Sequence, residues 1–165
     1  MSISPAQGVF PVSQTATLRD MTIDDYDAVI ALWQQTEYVN LNECDTRDGI
    51  DLYLRRNPGL CFVAETGNGI VGAVLCGHDG RRGFLRHLAV ARDHRQSGVG
   101  KQLVNKVMDA LHEQGIGKCN IFVDNGNKPG FSFWEYMGWG YLRRKFSHLA
   151  NRDAPVHPLW GYTHT

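Results

Sequence analysis

Two glycine-bearing turns in the middle of the chain restrict its fold more than any other feature. The first, Gly67-Asn68-Gly69, separates the apolar run Leu60-Cys61-Phe62-Val63-Ala64 from Ile70-Val71-Gly72-Ala73-Val74-Leu75. The second, Asp79-Gly80-Arg81-Arg82-Gly83, separates that run from the stretch Phe84 to Val90. Connections this short join antiparallel neighbours, because a parallel crossover needs roughly a dozen residues or more. A doubly wound parallel sheet is therefore a poor fit. Ahead of this meander, Thr17-Leu18-Arg19 is short enough for an edge strand. Tyr26, Val29, Ile30 and Trp33 then fall at helical spacing behind Thr22 and Asp25, a capping-box pair with Asp in place of Glu. Ile50 to Arg56 reads as a second helix, closed by Pro58 and Gly59. Beyond the meander, Val99, Leu103, Val107 and Leu111 recur at every fourth position and predict an amphipathic helix over 98–114. Asn120-Ile121-Phe122-Val123 reads as a strand, Pro129 to Met137 as a short helix stopped by Gly138, and Trp139 to Phe146 as a last strand. The order predicts one α/β (α+β) domain, a mixed, mostly antiparallel central sheet with helices on both faces.

Composition narrows the partners. Seventeen Lys+Arg balance seventeen Asp+Glu across 165 residues, which argues against a protein that grips nucleic acid or an anionic bilayer. A local basic pocket stays open. The four cysteines, Cys44, Cys61, Cys76 and Cys119, form no metal knuckle and no Cys-x-x-Cys pair. Free thiols of a reducing compartment are the expected reading, and with no secretory pattern at the start the expected location is cytoplasmic. Residues 1–16 are polar, carry Pro5, Gly8 and Pro11, and are expected to form a flexible extension ahead of a domain over 17–165. Seven histidines show no His-Glu-x-x-His pattern and no ligand cluster, so no metal is expected.

The stretch Leu88-Ala89-Val90-Ala91-Arg92-Asp93-His94-Arg95-Gln96-Ser97-Gly98-Val99-Gly100-Lys101 carries the chemistry. It reads as a strand end, a polar turn and a glycine-bearing helix start. A helix N-terminus leaves N–H groups unpaired and carries partial positive charge, and glycines let an anion approach the backbone. Arg95 and Lys101 add full charges, so the segment suits a phosphate. It is not the nucleoside-triphosphate loop, since Gly100-Lys101 is followed by Gln102 and Arg95 stands where that loop has its first glycine. A dinucleotide fingerprint starting at Gly98 fails at Leu103. Arg95-x-x-Gly98-x-Gly100 does fit the Arg/Gln-x-x-Gly-x-Gly/Ala turn that holds the pyrophosphate of coenzyme A. An ordinary helix-capping turn is the bland alternative.

A second motif lies downstream, Asn127-x-x-Gly130-x-x-Phe133-Trp134-Glu135-x-x-Gly138-Trp139. Together the two motifs resemble the GNAT superfamily of N-acetyltransferases, whose corresponding pattern is Asn-x-x-Ala-x-x-Phe/Leu-Tyr-Glu-x-x-Gly-Phe. The likeness runs from about Thr17 to Trp139. It implies an acyl-CoA N-acyltransferase-like fold and acetyl-CoA as co-substrate. Backbone groups of the Leu88-Ala89-Val90 strand end would pair with the pantetheine arm. Arg95, Gln96, Ser97, Gly98, Val99, Gly100 and Lys101 would surround the pyrophosphate, and Asn127 would touch the pantetheine. The thioester would sit where the fourth and fifth strands splay, between Val90 and Asn120. Many relatives pair through late strands, so a homodimer through the aromatic region 139–160 is open.

The chain departs from the family where Trp134 replaces the frequent tyrosine that protonates the departing thiolate. Indole N–H is no acid near neutral pH, so Trp134 packs either on the coenzyme or in the core. Tyr136 is about half a helical turn away and is expected to face elsewhere. The acceptor amine must lose a proton. His87 is the nearest imidazole and the candidate catalytic base, since imidazole is the side chain that ordinarily exchanges a proton near neutral pH. If strand alternation held, either His87 or Arg86 would face the cleft. His78, Asp79 and Glu43 are the lesser candidates, and the loop Tyr38 to Glu43 is expected to shape the acceptor site. The expected activity is acetyl transfer to a primary amine of a small molecule or peptide by direct attack on the thioester. A non-catalytic acyl-CoA sensor on the same fold is the alternative, and Trp134 is the feature in its favour.

Overall fold

Both glycine turns reverse the chain between antiparallel neighbours. β2 (Phe62–Thr66) and β3 (Gly69–His78) flank the first, with Val63 opposite Ala73. β4 (Gly83–Val90) follows the second, with Cys76 opposite Leu85. β1 (Thr17–Asp20) lies antiparallel at the β2 edge, and β5 (Cys119–Ile121) runs parallel to the start of β4. The five strands stand in the order β1-β2-β3-β4-β5. This computed structural model describes residues 15–140. Most of the expected extension 1–16, the expected last strand beyond Gly140 and the aromatic region suggested for dimer contacts lie outside them.

Helices cover both faces, which is why residues 62–64 of β2 and 71–77 of β3 are buried without alternation. α1 (Tyr26–Gln34) and α2 (Arg47–Arg56) bury Val29, Leu32, Trp33 and Ile50 against Cys61, Val63, Ala73, Leu75 and Ala89. α3 (Val99–Glu113) and α4 (Lys128–Tyr136) bury Leu103, Val104, Val107, Leu111 and Trp134 against Phe62, Ala64, Val74, Cys76 and Leu85. The every-fourth residues of α3 are all buried, as their spacing predicts. α3 lies so near the sheet that a Cβ on Gly83 would come within 2.6 Å of Leu111 Cδ1.

Two side-chain devices tie the ends of α1 and α2. Arg19 of β1 forks onto Asp25, with both N–O distances 2.8 Å, and reaches Glu65 of β2 at 2.9 Å. Asp25 also accepts the Thr22 N–H at 2.9 Å, the bond expected of the capping pair. α2 starts at Arg47 rather than Ile50 because the Thr46 hydroxyl accepts the Gly49 N–H and caps an earlier turn. β5 stops at Ile121, short of the expected Val123, and Phe122 is 80% exposed. Among the described residues no helix is long and apolar enough to cross a membrane.

Candidate active site

The site grows out of one irregularity in β4. Ala73 pairs with Ala89 and Leu75 with Arg86, so Val74 faces one residue too many. The extra residue is a β-bulge, and His87 sits in it with φ +51°. Bulges bend a strand away from its partner. β5 pairs only with Gly83 to Leu85, so among the described residues the β4 edge from Arg86 to Val90 has no strand beside it. The cleft left between the strands has a volume of about 130 Å³ and is walled by Leu85 to Leu88, Ile121 to Asp124, Asn127, Trp134 and Glu37 to Val39.

A second cavity, about 400 Å³, opens where β4 ends and α3 begins. Val90, Arg95, Gln96, Gly98, Gly100 and Lys101 line it, joined by His94, Phe133 and Tyr136. Gly98 is the N-cap of α3 with φ +87° and open space where a Cβ would stand, so the left-handed turn is the reason for glycine here. A Cβ on Gly100 would only touch Phe133 and Val90, at 3.4 and 3.6 Å. The free N–H groups of the first α3 turn, the helix dipole and Lys101 favour an anion, so a diphosphate fits the donors present.

The expected cofactor residues divide by what their side chains do. Arg95, Gln96, Gly98, Gly100, Lys101 and Val90 line the second cavity, and Leu88, Asn127 and Trp134 line the cleft. Ala89 and Val99 point into the two cores, which leaves only their backbone for a ligand. Ser97 donates its hydroxyl to the His94 carbonyl. The Asn127 side chain caps α4 by accepting the Gly130 N–H at 2.8 Å. Trp134 is buried, 5.0 Å from the Phe133 ring and 4.7 Å from that of Trp139. Its core and cleft roles coexist.

Arg95 donates from Nε to the Val90 carbonyl at 3.1 Å and from its fork to Glu37 at 2.9 Å. Arg92 also holds Glu37. Glu37 is therefore a clasp between the segment after α1 and the cationic turn. Its own backbone N–H and the two guanidinium groups hold its carboxyl down to about 2.

Three residues line the larger cavity that were not among the expected cofactor residues, although Phe133 and His94 lie within the two motifs. Phe133 and Tyr136 are three apart on α4 and so share a face; that face looks toward the α3 N-terminus, and Lys101 Nζ lies 5.7 Å from the Tyr136 ring centroid. The half-turn between Trp134 and Tyr136 does separate them, but it carries Tyr136 to this second cavity. His94 belongs to the short 3₁₀ turn Arg92–His94, and its Nδ1 is buried without a partner.

Of the candidate bases, His78 bonds Gln114 through Nε2 and accepts the Gly80 N–H at Nδ1. Asp79 accepts the Arg81 and Arg82 N–H groups, both at 2.8 Å, which closes the turn and lowers its pKa. Both lie at the far end of β4. His87 lies in the cleft. Its Nε2 is 2.9 Å from Asp45 Oδ1, and its ring meets Trp33 edge-on with centroids 4.9 Å apart. Arg86 lines the cleft as well, because the bulge suspends alternation at this point. Tyr38, His87 and Gln96 are the non-glycine residues with positive φ among those described, and each lines one of the two cavities. Such conformations cost roughly 1–3 kcal/mol apiece and concentrate at functional sites.

A chain with this splayed strand pair beside a glycine-bearing helix start is similar to known proteins. The family model for the Acetyltransferase (GNAT) family matches residues 26–139. An acetyltransferase of Sodalis glossinidius (strain morsitans) is 31% identical over 114 residues, which cover 69% of this chain and 80% of the relative. One from Yersinia pestis (strain Pestoides F) is 32% identical over 116 residues, covering 70% of this chain and 82% of its own. Among solved structures, AAC(6′)-Iy in complex with the bisubstrate analogue CoA-S-monomethyl-acetylneamine superimposes with a TM-score of 0.67 at 18% identity, over 82% of this chain and 98% of the other. The PaiA N-acetyltransferase of Thermoplasma acidophilum in complex with coenzyme A gives 0.66 at 18% identity, over 74% and 88%. Sequence motifs, strand splay and relatives agree, and the chain belongs to the GNAT family of acetyltransferases.

Proposed function

We propose that the protein is an acetyl-CoA-dependent N-acetyltransferase that moves an acetyl group to a primary amine of a small molecule or peptide, by direct attack of the amine on the thioester. The observation that carries this reading is the β4 edge with no strand beside it among the described residues, leading straight from the cleft to the α3 N-terminus, with Leu88 in one cavity and Val90 in the other. Acetyl-CoA supplies the thioester carbon and a leaving thiol whose usual pKa, about 8.5, lets it depart as thiolate. The buried Trp134 in the tyrosine place is compatible with that. The α3 N–H groups and Lys101 hold the pyrophosphate, and backbone groups of Leu88 and Val90 pair with the amide arm. Strand amides polarise the carbonyl oxygen. His87 takes the amine proton as the nitrogen–carbon bond forms. Structural neighbours bound to coenzyme A and to a bisubstrate analogue support the co-substrate assignment. The four free thiols suit a cytoplasmic location for the whole domain, 17–165.

The test is coenzyme A release from acetyl-CoA over a panel of free amino acids, polyamines and peptide N-termini, with calorimetry of acetyl-CoA binding alongside. Turnover on an amine supports the reading. Binding without turnover on the whole panel favours an acyl-CoA sensor, and absence of binding at high micromolar ligand removes both.

A further inference from the structure

Asp25 and Asp45 are the buried carboxylates among the described residues. Asp25 faces an arginine; Asp45 faces the imidazole of His87. Asp45 closes the 3₁₀ turn Glu43–Asp45, forty-two residues from His87 in sequence. Its two oxygens are divided. Oδ2 accepts the Asn42 N–H at 2.9 Å, and Oδ1 lies 2.9 Å from His87 Nε2. The Tyr26 hydroxyl donates to the Asp45 carbonyl at 2.9 Å and ties the turn to α1. On its other side the imidazole meets the fully buried Trp33. The ring is thus held in one orientation by two rigid elements, at a bulge whose backbone is already strained. Glu37, Arg86 and Asp124 are the other charged groups lining this cleft.

An ionised carboxylate only accepts hydrogen bonds, so the nitrogen facing it must carry a proton. The hydrogen bond made by one ring nitrogen sets the state of the other. We infer that Asp45 is the positioning residue of the site: it fixes neutral His87 as the Nε2–H tautomer and leaves Nδ1 as the proton-accepting nitrogen. The inference rests on the acetyl-transfer reading for its purpose, but its chemistry is a property of the protein alone. Asp45→Asn is the informative change. The asparagine Oδ1 can keep the Asn42 N–H, so the turn keeps its cap. Its Nδ2 then faces His87 Nε2, donor against donor. The imidazole answers by moving its proton to Nδ1, which removes the lone pair needed for the amine proton.

The experiment is nitrogen NMR of the full chain labelled with ¹⁵N-histidine at about pH 8.5, above the usual imidazole range of roughly 6.5. The His87→Gln spectrum assigns the signals. The wild type should show a protonated Nε2 and an unprotonated Nδ1, and Asp45→Asn should show the reverse. A wild-type ring protonated at Nδ1, or at both nitrogens, overturns the inference without need of any variant. An unchanged tautomer in Asp45→Asn also overturns it. With the fastest amine of the panel, Asp45→Asn should lower kcat by about 100-fold or more, the usual scale of a lost general base, with the KM for acetyl-CoA held within about twofold. Unchanged kcat overturns the positioning role. If the tautomers behave as stated but wild type turns over no amine, the acetyl-transfer reading fails and the assignment of the imidazole stands.

Discussion

Gly98 and Gly100 stand two residues apart in the same motif, yet the structure gives them opposite roles, and alanine at each should move stability in opposite directions. Gly98 has φ +87°, and nothing lies within 4 Å of the place an added methyl would take, so Gly98→Ala meets strain without any clash. The left-handed conformation costs an ordinary residue roughly 1–2 kcal/mol. Restricting the unfolded chain returns about 0.4–1 kcal/mol. The net loss is about 1 kcal/mol, or a Tm lower by roughly 2–4 °C for a chain of this size. Gly100 lies inside the first turn of α3, and its added methyl makes ordinary contacts at 3.4 and 3.6 Å. Gly100→Ala should therefore gain up to about 1 kcal/mol of helix propensity and raise Tm.

Binding separates charge from shape at the same place. Asp and Asn tolerate left-handed backbone better than most residues, so Gly98→Asp and Gly98→Asn should fold alike. Only Asp sets a negative charge at the α3 N-terminus. A unit charge about 4 Å from a phosphate is worth roughly 1–4 kcal/mol, depending on how much water screens it. Calorimetry with coenzyme A at low salt should find the Asp variant weaker than the Asn variant by about 10- to 100-fold. The gap should shrink in molar salt, where the screening length falls to about 3 Å. Equal affinities for Asp and Asn would refute the placement of the diphosphate at this helix start, and a Tm loss at Gly100→Ala as large as at Gly98→Ala would refute the backbone roles assigned to the two glycines.

Other perturbations read other parts of the molecule. Glu37→Gln frees Arg92 and Arg95 from their clasp and removes a negative charge beside the turn, so coenzyme A should bind about 3- to 10-fold tighter at low salt; weaker binding by calorimetry would show that Glu37 braces the arginines instead. The Arg19 guanidinium holds the Asp25 carboxyl below its ordinary range, so the ionised pair stabilises the fold at neutral pH, and that contribution disappears as the pH falls through the lowered pKa. Arg19→Met should cost about 1–3 kcal/mol at pH 7, with the difference from wild type narrowing in thermal melts as the pH falls through the lowered pKa of Asp25; a constant difference across the acid range would sink the assignment. Gly83→Ala sets a methyl 2.6 Å from Leu111 Cδ1 and 3.1 Å from Cys119 Sγ, and the overpacking should lower stability by about 1–3 kcal/mol in urea unfolding.

The fold was legible where local rules act alone. Two tight turns dictated three antiparallel strands, and the spacing of Val99, Leu103, Val107 and Leu111 dictated which face of α3 enters the core. Boundaries moved where one hydrogen bond decided them, as when Thr46 began α2 three residues early. That Arg95, Gly98, Gly100 and Lys101 meet at one cavity was legible because they are contiguous, an arginine, two glycines and a helix start within seven residues. The cleft side was not. Whether His87 or Arg86 faces the cleft looked like a choice fixed by strand parity, but a bulge at His87 broke the parity and brought both to the cleft wall. Nothing in Leu85-Arg86-His87-Leu88 announces a bulge, since no glycine or proline marks it. Asp45 was equally hidden, because a contact across forty-two residues leaves no local pattern. Local rules gave out at the residues that violate local preference, Tyr38, His87 and Gln96, each with positive φ and each at a cavity. A conformation that sequence rules disfavour persists only where the surrounding structure enforces it. Here the enforcing contacts of His87 are Trp33 and Asp45, so the orientation of its imidazole is set by α1 and the Glu43–Asp45 turn rather than by the strand that carries it.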